Sequence, residues 1–185
     1  MDIPIRLLSI DPGTMFTGIA VSEVDQDRSN FRVVHAQTLD LNKLARGVPE
    51  DYVLIHGDRR ARLCMLTACI TRLLAAWRPV SVVSESPYAS GHIQAFEALV
   101  ECLSAIGEGV RNYDDYMRLN TLEPSLVKKG VGVKGNTGDK LLMRTAIQNI
   151  PDLILDVNVD TLSEHAVDAI AVGYSHYNLT KKKGG

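Results

Sequence analysis

The chain has 185 residues, of which 45% are hydrophobic and 23% charged, and its formal net charge is −2. Length and composition fit one ordinary globular domain with a full core. No apolar run approaches the roughly 20 residues that cross a bilayer, and the acidic start lacks a signal-peptide or transit-peptide pattern. We therefore expect a cytoplasmic protein of a bacterial or phage-infected cell, without a membrane partner.

Strands and helices alternate along the chain, which is typical of an α/β fold. Three consecutive strands are predicted first, at Ile5–Ile10, Thr17–Glu23 and Phe31–Thr38, and such a meander is antiparallel. A polar loop at Asp40–Asp58 then leads into a helix at Arg59–Trp77, whose apolar residues follow helical spacing.

The second half of the chain continues the alternation. The predicted elements are a strand at Val80–Ser84, a helix at Ile93–Ile106, a strand at Met117–Leu122, a helical start at Pro124–Lys128, and helices at Asp139–Ile150 and about Ser163–Tyr177. The prediction is a single α/β domain over residues 1–180, with a mixed five-stranded sheet flanked by helices. Residues 181–185 are predicted to form a disordered basic tail.

Two groups of side chains are given structural interpretations. Cys64, Cys69 and Cys102 form no C-x-x-C pair and lie among helix-periodic apolar residues, which predicts reduced side chains in the core. Three arginines, at positions 59, 60 and 62, open a predicted helix. They are interpreted as a solvated helix face.

Two predicted strands end in an acidic residue. Asp11 begins an Asp-Pro-Gly-Thr turn, and Glu85 precedes Ser-Pro. A strand end followed by a turn holds a charged group rigidly while exposing it to solvent, so an ion or a phosphate is its natural partner.

A third acid lies near the start of the last predicted helix. Ser163 is a good N-cap there, and Asp168 follows in the first turns together with Glu164 and His165. Taken alone, Asp168 is explained as a carboxylate that favours the positive helix start, and His165 as a satisfied or merely exposed histidine.

Together, the three acids suggest a metal site. Two strand-end acids and one helix acid provide the oxygen ligands that hard divalent cations prefer. Two such ions about 4 Å apart can support phosphodiester hydrolysis. The glycine-bearing basic run Lys128–Arg144 supplies positive charge for a phosphate backbone.

These motifs resemble those of the RuvC Holliday junction resolvases, members of the RNase H-like superfamily. The segment Ser9–Gly13 with Gly18 is similar to the family's first acidic motif, Val83–Glu85 to its second, and His165–Ala171 to its C-terminal helix motif. That helix motif usually carries two acids three residues apart. Here histidine stands at the first of the two positions, as it does in some family members.

The resemblance implies the composition of the active site. Asp11, Glu85 and Asp168 would bind Mg²⁺ or Mn²⁺, with two ions in each active site and a water positioned for in-line attack on DNA. His165 would be the fourth member of the site, and Glu164 is the alternative.

The resemblance also implies contacts with DNA. Lys128 and Lys140 are similar to two family lysines that contact phosphate near the cut, where an ammonium group stabilises developing charge. Lys129 and Lys134 add positive charge to the same stretch. Tyr88 stands where the family tends to place an aromatic that stacks on junction bases, although an ordinary loop tyrosine is the alternative.

The implied protein is a homodimeric, metal-dependent endonuclease that resolves four-way or other branched DNA by paired symmetric nicks. The alternatives are another RNase H-like nuclease with a different nucleic-acid substrate, and a catalytically silent module that binds branched DNA. An Asp-x-Gly-Thr turn also opens the actin-like phosphotransferases. Those proteins normally need a duplicated domain, so no nucleotide cofactor is expected here.

Overall fold

The structure is a computed structural model that describes residues 4–25, 29–88, 93–133 and 140–183, without the side chains of residues 140, 182 and 183. The strands are β1 (Ile5–Asp11), β2 (Phe16–Val24), β3 (Phe31–Asp40), β4 (Ser81–Glu85), β5 (Leu119–Leu122) and β6 (Leu153–Leu155). The helices are α1 (Leu41–Ala45), α2 (Glu50–Trp77), α3 (Ile93–Tyr113), α4 (Pro124–Gly130), α5 (Lys140–Gln148) and α6 (Glu164–Lys183), with a 3₁₀ turn at Val159–Thr161.

The strands form one mixed sheet in the order β5-β4-β1-β2-β3-β6. The meander β1-β2-β3 is antiparallel, as predicted. Strand β4 lies parallel to β1 and to β5, and β6 lies parallel to β3. The α/β class is confirmed, and the carboxyl ends of β1 and β4 meet at one edge of the sheet.

The predicted number of five strands is wrong, because β6 adds a sixth at the edge beside β3. This strand pairs through only three residues, Leu153–Leu155, with Phe31–Val33. A segment of that length is too short to show the period-two pattern by which strands are found in a sequence.

The prediction of a polar loop at Asp40–Asp58 is also wrong, since this segment forms α1 and the first part of α2. Asp40 ends β3 and caps α1, with its side chain accepting a hydrogen bond from the Lys43 backbone N–H at 3.0 Å. Within α2, Gly57 has φ 79° and interrupts the helical backbone. Glycine adopts this conformation without steric cost, so the interruption divides a long helix into two segments.

The last helix is longer than predicted. Helix α6 continues to Lys183, so three of the five residues predicted as a disordered tail are helical. Gly184 and Gly185 lie outside the described residues. No helix among the described residues has the length and apolar character needed to span a bilayer.

Alternation along the strands creates two cores, one on each face of the sheet. Leu8 and Ile10 of β1 belong to the core shared with α2 and α3. Leu7 belongs to the core on the opposite face, which includes Ala169 and Ile170 of α6. Because successive side chains point to opposite faces, Asp11 lies on the α6 face of β1.

Helix α6 packs close to this face because the residues between them are small. A Cβ on Gly173 would lie 2.6 Å from Ser9 Oγ, and Ser9 is fully buried. Ser9 precedes Asp11 by two residues and lies on the same face of β1. The small side chains therefore bring the helix backbone within reach of the strand-end acid.

All three cysteines are free thiols, but their predicted burial is only partly correct. Cys102 is buried, Cys69 is partly buried and Cys64 is exposed. The Cys64 sulfur lies 3.0 Å from the Tyr52 hydroxyl. The core interpretation is wrong for Cys64, because this residue faces away from the sheet and toward the first segment of α2.

Candidate active site

Asp11 and Glu85 occupy equivalent positions at the ends of neighbouring parallel strands. The register pairs Ile10 with Ser84, so the two acids follow at the same edge of the sheet. Val83 belongs to the core on the α6 face, and Glu85 lies two residues beyond it on the same side of β4. Strand pairing therefore directs both carboxylates toward α6.

The turn that follows Asp11 is held by hydrogen bonds from three directions. Thr17 Oγ1 donates to the Gly13 carbonyl at 3.0 Å, and the Leu41 N–H donates to the Met15 carbonyl at 2.8 Å. From α2, Arg62 Nε donates to the Thr14 carbonyl at 3.0 Å. The chain therefore leaves Asp11 through a rigid turn.

Of the three arginines predicted to form a solvated helix face, Arg59 and Arg60 are exposed, whereas Arg62 is partly buried against the turn after Asp11. Arg62 contacts the turn after Asp11, and Arg59 forms an ion pair with Glu101 of α3 at 2.8 Å. Both partners lie far away in sequence, so neither contact is visible from the local pattern.

The start of α6 is fixed by its own cap and by α5. Ser163 Oγ accepts from the Ala166 N–H at 3.3 Å, which confirms the predicted N-cap, and it also contacts the Thr38 hydroxyl. Arg144 of α5 donates to the Leu162 carbonyl at 2.7 Å and to the Val159 carbonyl. This guanidinium, part of the predicted DNA-binding run, instead holds the segment that enters α6.

Gly18 allows the start of α6 to reach Asp11. It is the register partner of Asp11 on β2. A Cβ at this position would lie 1.8 Å from the His165 carbonyl oxygen. Any side chain at position 18 would push the helix backbone away, so glycine is required for steric reasons at the point where three elements meet.

His165 is the residue of this helix turn that contacts Asp11. Its Nδ1 lies 2.9 Å from Asp11 Oδ2, and its ring stacks on Phe16 at 6.0 Å between centroids with 23° between the planes. Glu164 Oε1 lies 4.0 Å from His165 Nε2. Glu164 therefore approaches the histidine rather than replacing it beside Asp11.

The acids share an environment that opposes their ionisation. Burial, together with the charges of Asp11 and Asp168, raises the pKa of Glu85 to about 7. Burial and the Asp11 charge raise the pKa of Asp168 to about 6. Burial also raises the pKa of Asp11, although its hydrogen bond with His165 opposes the rise, and that same bond raises the pKa of His165.

The donor chemistry of this cluster fits a hard divalent cation. Three partly buried carboxyl groups that repel one another gain most from a cation with oxygen-ligand preference. Among the described residues, no group of three or more His, Cys, Asp and Glu side chains is already arranged to hold a metal ion. The residues that would hold an ion are Asp11, Glu85 and Asp168, with His165 beside Asp11.

The cleft on one side of the acids contains three of the predicted DNA-binding residues. This Tyr88 cleft has a volume of about 420 Å³ and is lined by Tyr88, Glu123, Pro124, Ser125, Lys128, Lys129 and Val133. Tyr88 is 69% exposed. The Lys128 ammonium lowers the pKa values of Glu85 and Asp168, so its charge acts on both carboxyls.

Two predicted lysines cannot be placed in the site. Lys134 lies outside the described residues. Lys140 begins α5, but its side chain is not among those described. Their roles in DNA binding and catalysis stay predictions.

A second cleft was missed by the sequence analysis. This Phe16 cleft has a volume of about 570 Å³ and is lined mainly by Phe16, Leu141, Met143, Leu162, His165 and Asp168. The available signal was Met15-Phe16, two large apolar residues directly after the Asp-Pro-Gly-Thr turn, and both side chains are exposed.

Comparisons with known proteins agree with the motifs. No family model matches the chain. A crossover junction endodeoxyribonuclease RuvC of Dehalococcoides mccartyi is 22% identical over 173 residues, which cover 94% of this chain and 92% of the relative. A second RuvC from the same species is 23% identical over the same length.

Solved structures show the same fold. T. thermophilus RuvC in complex with a Holliday junction substrate aligns with TM-score 0.70 and 16% identity over 96% of both chains. The yeast mitochondrial Holliday junction resolvase aligns with TM-score 0.67 and 14% identity over 97% of this chain and 81% of its own. The predicted resemblance is therefore confirmed, and this chain has the RNase H-like fold of the RuvC-type Holliday junction resolvases.

Proposed function

We propose that this chain is a metal-dependent, structure-selective DNA endonuclease that resolves Holliday junctions and related branched DNA. The observation that carries the proposal is the acid cluster at the carboxyl edge of β1 and β4, closed by the start of α6. The similar fold of solved resolvases and the RuvC relatives support the substrate class.

The site residues have distinct roles in this proposal. Asp11, Glu85 and Asp168 would hold Mg²⁺ or Mn²⁺, with His165 as the fourth member. When bound, two such ions supply Lewis-acid activation of a water and stabilisation of the leaving oxygen. His165 forms a hydrogen bond with Asp11 through Nδ1, and its ring stacks on Phe16.

The chain also supplies positive charge for the DNA. Lys128 lies close enough to affect the pKa values of two of the acids, which suits contact with the phosphate at the cut. Lys129 and Tyr88 line the same cleft, where they would contact the neighbouring backbone and an unstacked base. Lys134 and Lys140 are assigned to the same surface by resemblance alone.

We further propose that the active enzyme is a homodimer. Resolution of a four-way junction needs nicks in two strands related by a twofold axis, and a twofold dimer presents two matching sites. Paired nicks at symmetric positions would leave nicked duplexes that a ligase can seal.

The proposed function predicts metal-dependent cleavage of a synthetic four-way junction, which should fall at least about 100-fold in Asp11→Asn. The matched control is Asp115→Asn, which makes the same chemical change at an exposed acid after α3.

A cruciform plasmid tests pairing of the nicks, because coupled nicks linearise it and single nicks only relax it.

The outcomes separate the alternatives. Cleavage that Asp11→Asn leaves intact would rule out the proposed site. Junction binding without cleavage at any Mg²⁺ or Mn²⁺ concentration would favour the silent DNA-binding module. Cleavage of linear duplexes or RNA hybrids in preference to the junction would favour another RNase H-like nuclease.

A further inference from the structure

We propose that the Phe16 cleft binds one nucleobase of the cleaved strand, next to the phosphate that is cut, with the Phe16 ring as its stacking surface. This inference rests on the proposed function, because it assigns part of the substrate to a cleft beside the same acids. It adds a base-binding position on the opposite side of the acid cluster from Tyr88.

The location of the cleft supports this assignment. His165 and Asp168 belong both to the acid cluster and to the wall of the Phe16 cleft. A nucleotide whose phosphate lies at the acids therefore has its base within reach of the cleft. The lining residues of the Phe16 cleft and the Tyr88 cleft do not overlap, so the strand can place a base in each.

The chemistry of the walls favours a base over a phosphate. Leu141, Met143 and Leu162 supply apolar surface, and Phe16 is 39% exposed. The carboxyl groups of Glu164 and Asp168 also line the cleft, and they would repel a second phosphate. A flat, uncharged base that stacks on an aromatic ring fits this combination, and the cleft volume is within the usual range for small ligands.

Two polar groups of the cleft, the Arg144 guanidinium and the Ser163 hydroxyl, are already engaged within the protein. Arg144 donates to the carbonyls of Leu162 and Val159, and the Ser163 hydroxyl contacts both Thr38 and the Ala166 N–H. The carboxyl groups of Glu164 and Asp168 also line the cleft and can accept from a base edge, but they cannot donate when ionised. The cleft is therefore expected to recognise the base through stacking and shape, with only modest sequence preference.

The test combines substrates with a single missing base and variants of Phe16. Junctions carrying one abasic residue at each position within three nucleotides of the cut are compared by single-turnover cleavage. Wild type should lose about 5- to 100-fold in rate at one position beside the cut, the effect expected for one lost base–aromatic stack. Phe16→Ala should cleave the intact junction more slowly than wild type. Removal of the base at that same position should not lower its cleavage rate further.

Variants of matched chemistry separate stacking from structure. Phe16→Tyr keeps the ring and should show the wild-type loss of rate at the abasic position. Phe16→Leu keeps an apolar side chain without a ring and should behave like Phe16→Ala. Tyr116→Ala removes an aromatic ring that is 92% exposed elsewhere on the surface and should leave the sensitivity unchanged. An equal abasic effect in wild type and in both Phe16→Ala and Phe16→Leu would overturn the proposal.

A second measurement does not depend on cleavage. A 5-iododeoxyuridine placed at each position beside the cut is irradiated with the bound protein in EDTA, and the crosslinked peptide is identified by mass spectrometry. A crosslink to Phe16 from one position supports the base site even in a protein that does not cut. Crosslinks only to Tyr88 or only to lysines would overturn it, while absent junction cleavage with a Phe16 crosslink would contradict the proposed function alone.

Discussion

At the scale of single residues, the acids of the site carry an electrostatic cost. Glu85 and Asp168 are held where burial and neighbouring carboxyls raise their pKa values, to about 7 and about 6. A bound cation would remove that cost, whereas the protein without a cation retains it. Function and stability therefore oppose each other at these positions.

This opposition predicts that Glu85→Gln abolishes junction cleavage and yet stabilises the metal-free protein. The pKa of Glu85 rises from 4.5 to about 7 in the folded state, so between these values the folded state keeps a proton that the unfolded chain has lost. The contribution of Glu85 to the free energy of unfolding of the wild type therefore falls as the pH rises through this window. Glu85→Gln should therefore leave the free energy of unfolding nearly unchanged at pH 4 and raise it by on the order of 1 kcal/mol at pH 8. That value is reduced for partial solvent screening.

Urea unfolding of both proteins in EDTA at several pH values measures this difference. Asp115→Asn serves as the control, since it replaces a carboxyl by an amide at an exposed position. A Glu85→Gln variant that is less stable than wild type at pH 8 would mean that Glu85 makes a stabilising contact that outweighs its burial.

At the scale of elements, the site depends on how closely α6 approaches the sheet. Gly18 and Gly173 have no side chain where β2 and β1 meet the helix. Ser163 caps the helix, and Arg144 holds the segment before it. These contacts determine that His165 reaches Asp11, so a change at any of them should affect the site without altering a candidate ligand.

Gly18→Ala is predicted to displace the start of α6. The added Cβ would lie 1.8 Å from the His165 carbonyl, which is backbone and cannot rotate away. We expect a loss of about 1–3 kcal/mol in unfolding free energy and a strong loss of junction cleavage. Thermal melts and single-turnover cleavage measure the two effects.

Gly107→Ala is the matched control for this substitution. Gly107 lies inside α3, and an added Cβ would be no closer than 3.7 Å to its nearest neighbours. Alanine there should be neutral or stabilise the helix by up to about 1 kcal/mol, with cleavage unchanged. Equal behaviour of the two variants would show that the approach of α6 at Gly18 is not needed for the site.

At the scale of the whole molecule, the acids come from β1, β4 and α6 and should be joined by metal binding. We predict that Mg²⁺ or Mn²⁺ raises the melting temperature of wild type, since a ligand that binds only the folded state adds about 2.7 kcal/mol at 100 times its Kd. The increase should be absent or much smaller in Asp11→Asn. Ca²⁺ is a useful comparison, because binding without cleavage would separate the two steps.

Local sequence predicted much of this fold because its longer elements carry strong periodicity. The antiparallel meander, the long helices and the strand ends at Asp11 and Glu85 were all visible as apolar runs followed by turn residues. Strand β6 and helix α1 were missed because three and five residues are too few to show a period. The exposure of Cys64 was missed because helical spacing indicates a face but not what covers it.

The sequence by itself determined which residues can supply the chemistry: acids at two strand ends, a third acid on a capped helix, and lysines between them. The parallel pairing of β1 with β4, which places Asp11 and Glu85 on one face, came from the structure. Only the tertiary structure decided that His165, rather than Glu164, contacts Asp11, that Arg62 and Arg144 hold the backbone around the acids, and that an apolar cleft opens beside Phe16. The contacts of Arg144 span 15 and 18 residues, that of Arg62 spans 48 and that of His165 with Asp11 spans 154, and such packing leaves no local pattern in the chain.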